Sequence, residues 1–457
     1  MKNFEHICHL LICPVCQQSS IEPQDNSLRC NSCQRDFPQW GDLLWFFADP
    51  EATRYDWQNR FNYFAQATQQ EADQIKTELK KSGLLPQTEQ RLRKLMQAKI
   101  EHNKQVMKLM EPVGANGSGK IEQSIALQVK LPKSQSLMGY YRNVLRDWSY
   151  GDDENRISRD LILQALGTDR SLGTLGVLGA GACRLAYDIH QAAEVDQTLA
   201  VDINPYLFLA AKRVMMGRNL TLYEFPITPV NLDSFAVKLK CKAPEPLKDN
   251  FHFILADAMN PSFADGSLNT VLTPWLIDIV HQDCRDLFRR LNRILAKGGS
   301  WINFGPLAFF HRQFHLCYSL EEILEIASES GFQIDDPFHE EIPYLHSPYS
   351  CQKRYEKVLC FRAVKTAEIE QPEPFHYLPD WLLNMDKPVP QLADFQQQQG
   401  VHRTLSELFA QVDGQRSISQ IAQQLTPKLG VSFANAQEMI KGLLTQFFEE
   451  RLKSRKF

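Results

Sequence analysis

The chain has 457 residues, 43% of them hydrophobic and 23% charged, with a net charge of -4 at pH 7. That length exceeds one ordinary core and predicts about three units. The composition excludes a disordered chain, and the mild acidity gives no electrostatic reason to expect duplex nucleic acid as the main partner. No apolar run reaches the roughly 18 to 20 residues that span a bilayer, and the start at Met1 does not read as a signal peptide, so a cytoplasmic protein is expected. Eleven cysteines, an odd number with seven scattered singly, fit a reducing compartment better than a disulfide framework.

In chain order, Cys13, Cys16, Cys30 and Cys33 form two Cys-x-x-Cys knuckles separated by 13 residues. Four thiolates so spaced suit a tetrahedral structural zinc ion with no open coordination position, and the metal supplies folding energy that so short a segment cannot take from a core. The aromatic run Phe37 to Phe47 that follows is expected to pack on a neighbouring domain. A zinc ribbon is thus assigned to residues 1-48 and a helical segment to 49-135. In that segment Leu92, Leu95, Met96 and Ile100, then Val106, Leu109 and Met110, recur at helical spacing. Ser82-Gly83 and Pro86 divide it into two helices, expected to be antiparallel.

The next segment, 136-366, is organised around Gly176 to Asp188. This stretch reads as the end of a buried strand, a glycine turn at Gly179, Ala180 and Gly181, and a helix opening near Arg184. Without a Cβ, the glycines take positive φ and let a ligand approach the main chain. The strand Thr198 to Asp202 ends in a carboxylate that can accept hydrogen bonds from ribose hydroxyls. Phe251 to Ala258 is a further strand whose Asp257-Ala258 exit suits an adenine, and Asn269 to Pro274 is another. Leu287 to Phe304 reads as an amphipathic helix stopped at Gly298-Gly299 and a buried strand. Cys183 and Arg184 stand where a dinucleotide fingerprint would have its third glycine. S-adenosylmethionine, which carries no phosphate, is therefore favoured over NAD. Tyr344, His346, Tyr349 and Tyr355 follow in the region that covers the substrate in such folds.

Glu370 to Pro374 reads as a linker. The tail, 375-457, carries three helical apolar patterns, with Ser417 and Gln420 forming a capping box.

The segments Tyr141 to Ser149, Gly179 to Ala186, Trp275 to His281, Gly298 to Leu307 and Arg354 to Phe361 occur in the order of the carnosine N-methyltransferase family, which this chain resembles from roughly Tyr140 to Lys365. The resemblance implies a Rossmann-like α/β class I methyltransferase core that uses S-adenosylmethionine. It implies that Arg146 lies against the cofactor and can pair with its carboxylate, beside Gly179, Ala180, Gly181, Arg184, Asp202, Asp257, Ala258 and Pro274. It gives Asp278, with His281, His311 and Tyr355, to the acceptor, where the carboxylate would fix an imidazole tautomer. The alternative for Asp278 is a helix N-cap, and for His281 a structural histidine. Asn303 and His315 are further candidates. The family's histidine after Gly-Pro-Leu falls one residue later here, and its last-strand tyrosines are reduced to Tyr355. Those departures leave methyl transfer to a histidine-like or other nitrogen, free or in a peptide, as the expected reaction.

The ribbon is similar to those ahead of some ribosomal-RNA methyltransferases. The tail is similar to PqqD-like winged-helix modules that bind peptides. Two alternatives follow: an RNA base methyltransferase using the zinc ribbon, which a basic surface at Lys76, Lys80, Lys81, Arg91, Arg93 and Lys94 would favour, and a non-catalytic peptide-binding scaffold.

Overall fold

The computed structural model describes residues 4–41, 43–114, 139–168, 170–280, 283–309, 314–372, 386–391 and 393–453. They divide into two compact units, Met1–Tyr377 and Leu378–Phe457. The expected ribbon, helical segment and methyltransferase portion therefore share one unit. No helix of the described residues is long and apolar enough to cross a membrane.

The centre of the first unit is a sheet of strands β5 (Ser171–Leu178), β6 (Glu194–Asp202), β9 (Phe251–Leu255), β10 (Leu268–Pro274), β11 (Leu295–Gly305), β12 (Phe332–Tyr344) and β13 (Arg354–Lys365). Their order is β9-β6-β5-β10-β11-β13-β12. β13 lies antiparallel between β11 and β12, and the other neighbouring pairs are parallel. Leu175, Val177, Leu199, Ala200, Leu272 and Ile302 are buried, as in strands covered on both faces. Crossover helices Asp152–Leu166, Arg184–Ala192, Pro205–Met215, Cys284–Ile294 and Leu320–Glu329 supply that cover. The helix before β11 ends at Ile294, earlier than the expected stop at Gly298-Gly299. Its chain extends at once at Leu295, which already pairs with Leu268, so sheet pairing overrides the glycine signal.

The ribbon does not stand apart. Its hairpin strands β1 (Ile21–Gln24), β2 (Ser27–Cys30) and β3 (Asp36–Trp40) lead to β4 (Leu43–Trp45), which pairs parallel with β9 through Leu44 and Ile254. One sheet of eleven strands results. Trp45 and Phe46 are buried, so the aromatic run does pack inward.

Helices α1 (Pro50–Glu78) and α2 (Pro86–Met110) pack on each other, and Leu92, Val106 and Met110 are buried. The buried His102 lies edge-on to Phe64, Tyr141 and Phe225, and its Nδ1 has no hydrogen-bond partner among the described residues. Burial, with Lys99 nearby, lowers its pKa to about 3. The native state thus binds fewer protons than the unfolded chain, so stability is present above pH 6.5 and falls as the pH drops toward 3. Relative to His102→Phe, which cannot titrate, the parent should lose about 2 kcal/mol between pH 7 and pH 5. Urea unfolding at the two pH values measures that difference, and a constant gap between the proteins would contradict it.

The second unit holds helices Ala393–Phe409, Ile418–Leu429 and Phe433–Lys453 around Leu408, Ile421, Leu425, Ala436 and Ile440. The Ser417 and Gln420 capping box is present. No strand occurs in this unit among the described residues.

Candidate functional site

Open parallel sheets bind ligands outside the carboxyl ends of the strands, where neighbouring connections diverge. β5 sits between β6 and β10, and the sequence candidates cluster at this edge.

After Leu178 the backbone turns sharply, with φ of 75° at Gly179, 55° at Gly181 and 63° at Cys183. A Cβ on Gly181 would meet nothing within 4 Å, so the main chain there borders open space. The turn is held from below. The amides of Gly179 and Ala180 both donate to Val201 O at 2.9 Å, and Trp148 Nε1 donates to Ala182 O at 2.9 Å.

Asp202 lies beside this turn. Its Oδ2 accepts the Gly181 amide at 2.8 Å and its Oδ1 the Asn204 amide at 2.8 Å. Each oxygen keeps a second lone pair, the number needed for two ribose hydroxyls. Burial raises its pKa to about 6 against the pull of those amides. Asp257 accepts from the Met259 amide at 2.9 Å and from Asn260 Nδ2 at 3.2 Å, which shapes the loop carrying the buried Ala258. Burial raises its pKa as well.

Arg146 falls in a π-helical turn, Arg146–Tyr150. Its guanidinium pairs with Asp147 at 2.6 Å and lies over the rings of Trp275 and Tyr344, 5.6 and 5.1 Å from their centroids. The buried Arg184 is bonded within the protein, through Nε to Asp188 at 2.9 Å and through Nη1 to Asp147 O and Asp152. It ties the helix after the glycine turn to the Arg146 segment.

On the other side, β10 ends at the buried Pro274, and Trp275 bends away with φ 47°. Asp278 follows in a turn, while the N-cap of the next helix is Asp283, whose side chain accepts from the Arg285 amide. Asp278 is 7% exposed. Its Oδ2 accepts the Ala308 amide at 3.2 Å, and its Oδ1 has no partner among the described residues. Burial first, and the charge of Glu356 less, raise its pKa to about 6. Burial lifts the Tyr140 hydroxyl, and the charges of Asp202, Tyr344 and Asp278 add to that. The carboxylates of Asp202 and Asp278 therefore act on one phenol.

Of the other candidates, Tyr355 is 60% exposed and lies edge-on to His346, with centroids 4.6 Å apart. The buried Asn303 donates to Leu359 O at 3.2 Å within the sheet. His315 is exposed, and His281 and His311 lie outside the described residues. Sequence reading missed Glu356, which is buried on β13, accepts Trp275 Nε1 at 2.7 Å and pairs with Arg354. Glu356 stands in period-two register with Val358 and Cys360, which are buried positions of β13, and that alternation was the available signal.

The Sγ atoms of Cys13, Cys16, Cys30 and Cys33 lie within 4.8 Å of one another, a set of soft donors that fits one zinc ion. All eleven cysteines are free of disulfides.

The sequence model of the family described as Carnosine N-methyltransferase matches residues 122–367. No curated protein sequence matches the chain. Among solved structures, phosphoethanolamine N-methyltransferase 2 of Haemonchus contortus, in complex with S-adenosyl-L-methionine, is 15% identical, with 52% of this chain and 61% of that one covered and a TM-score of 0.33. The YcgJ protein of Bacillus subtilis is 14% identical, with 46% and 99% covered and a TM-score of 0.31. A SAM-dependent methyltransferase of Aquifex aeolicus is 11% identical, with 49% and 92% covered and a TM-score of 0.30.

Proposed function

The chain belongs to the carnosine N-methyltransferase family, as an S-adenosylmethionine-dependent methyltransferase, and from that premise we propose that it methylates an imidazole or similar nitrogen of a histidine-containing small molecule or peptide. The observation that carries this reading is Asp278, a buried carboxylate just past the fourth parallel strand with one oxygen unpaired among the described residues. A buried acceptor without a donor is costly, and an N–H of the bound acceptor would relieve it.

Bound S-adenosylmethionine supplies an activated methyl group on sulfur. Gly179, Ala180 and Gly181 would leave room for it, Asp202 would accept from its ribose hydroxyls, the Asp257-Ala258 exit would border its adenine, and Arg146 would pair with its carboxylate. Pro274 closes the strand between this half and the acceptor half. Asp278 Oδ1 accepts the N–H of a neutral imidazole, which leaves the lone pair of the other ring nitrogen free. That lone pair forms the new C–N bond as the C–S bond breaks, and positive charge moves from sulfur to the ring. The ionised Asp278 stabilises that charge, and the N–H proton leaves from the product when the ring returns to neutrality. Holding both partners about 3 Å apart and in line supplies most of the acceleration.

The basic surface that would favour the RNA reading is partly engaged within the protein. Arg93 pairs with Glu89, Lys94 pairs with Asp233, and Arg91 lies over Phe235, so half of the proposed basic patch faces groups of the protein itself. Calorimetry with S-adenosylhomocysteine and mass spectrometry of carnosine and a histidine-containing peptide test the proposal. Saturable binding and the gain of one methyl group on the ring are expected. Saturable binding with transfer only to oxygen or carbon acceptors would remove the nitrogen assignment, and no binding would favour the peptide scaffold.

A further inference from the structure

The ribbon is built into the cofactor edge of the sheet. Beyond the pairing of β4 with β9, the Phe46 amide donates to Leu255 O at 2.8 Å. The next amide, Ala256, donates to Asp202 O at 3.1 Å, and Asp257 follows. A second seam lies farther along the same loop. Leu11 bridges Phe263, the Ile12 amide donates to Ser262 O at 3.0 Å, and the Ala264 amide donates to Leu10 O at 2.8 Å. Cys13, one of the four thiols, is the next residue after Ile12. Ile7, Leu10, Leu11 and Phe46 share a buried core with Ile254, Ala256, Ala258 and Phe263.

We infer that the four-cysteine ribbon is a positioning part of the cofactor site: zinc in the ribbon holds the Leu255 to Ala264 segment, and with it Asp257 and Ala258, in the binding geometry. The inference rests on the proposed role of Asp257 and Ala258 at the adenine. The ribbon strands contain three to five residues each, too little to hold a fold without the metal. Loss of zinc therefore releases Leu10 to Ile12 and Leu43 to Phe46 together, which opens both seams. β9 then has β6 as its one partner strand and becomes an edge, and the segment retains the Ala256 bond to Asp202 O together with the bonds from Arg293 to Pro261 O and Phe263 O at 2.8 and 2.7 Å. Ordering that segment again must then be drawn from the free energy of ligand binding.

The test compares the zinc-loaded full chain with the same protein after chelation, using S-adenosylhomocysteine calorimetry and amide hydrogen exchange. The expected result is a roughly tenfold weaker affinity, faster exchange at 255 to 264, unchanged exchange in β5, β10 and β11, and recovery when zinc is returned. Ala264→Pro removes one seam hydrogen bond while leaving all four thiols, so it should weaken affinity with zinc still bound. If chelation unfolds the whole chain, this variant decides the question. Equal affinity and equal exchange at 255 to 264 with and without zinc would overturn the inference. Failure of the loaded protein to bind S-adenosylhomocysteine would strike the proposed function instead, and the exchange comparison would still decide whether zinc holds the segment.

Discussion

Asp278→Asn should lower kcat by about 100-fold or more, while affinity for S-adenosylhomocysteine stays near that of the parent. The substitution preserves size and an oxygen that can accept the Ala308 amide, so the loop after β11 keeps its anchor. What it removes is the charge beside the developing imidazolium, together with an unambiguous acceptor for the ring N–H, since an amide can present its own donor there. Parent-like turnover with a histidine-containing acceptor would exclude Asp278 from the reaction. The pH profile gives an independent reading. Burial raises the Asp278 pKa to about 6, so protonation below that value removes the acceptor. A free imidazole protonates near pH 6.5 by itself. At saturating cofactor, log kcat/KM should therefore fall with a slope approaching two below pH 6 in the parent and only one in the residual activity of Asp278→Asn. The same limiting slope in both proteins would mean that the carboxylate does not titrate in the reaction.

Asp202→Ala should weaken cofactor binding by about 2 kcal/mol, or roughly 30-fold, through loss of charge-assisted hydrogen bonds to the ribose. Two local effects on folding oppose each other. The Gly181 and Asn204 amides lose their acceptor, but the protein is relieved of a carboxylate whose burial already raises its pKa to about 6. Thermal stability should therefore change less than affinity does. Calorimetry on the folded variant measures the loss, and unchanged affinity would place the ribose elsewhere. Because Asp202 must be ionised to act as a full acceptor, parent affinity should also decline as the pH falls through 6, and this decline should be absent from the alanine variant.

The local features of this site were legible in the sequence because each is written in neighbouring residues. The glycine turn, the carboxylate closing β6, the Asp257-Ala258 exit and the two cysteine knuckles are recognisable at fixed spacing. The capping box at Ser417 and the break between the helices near Ser82 follow from the same local chemistry. The stop expected at Gly298 failed where a distant strand, pairing at Leu295, competed with a local signal.

The sequence by itself determined the parallel core, the glycine turn beside Asp202 and the thiol cluster, since backbone conformation, hydrophobic period and donor softness are properties of short stretches. Only the tertiary structure decided that Asp278 keeps one oxygen unpaired, that Glu356 meets Trp275 across 81 positions, and that the ribbon joins β9 as one more parallel strand. Those facts depend on contacts between distant segments. Desolvation and strand pairing have no address in a local run of residues until the chain has closed on itself.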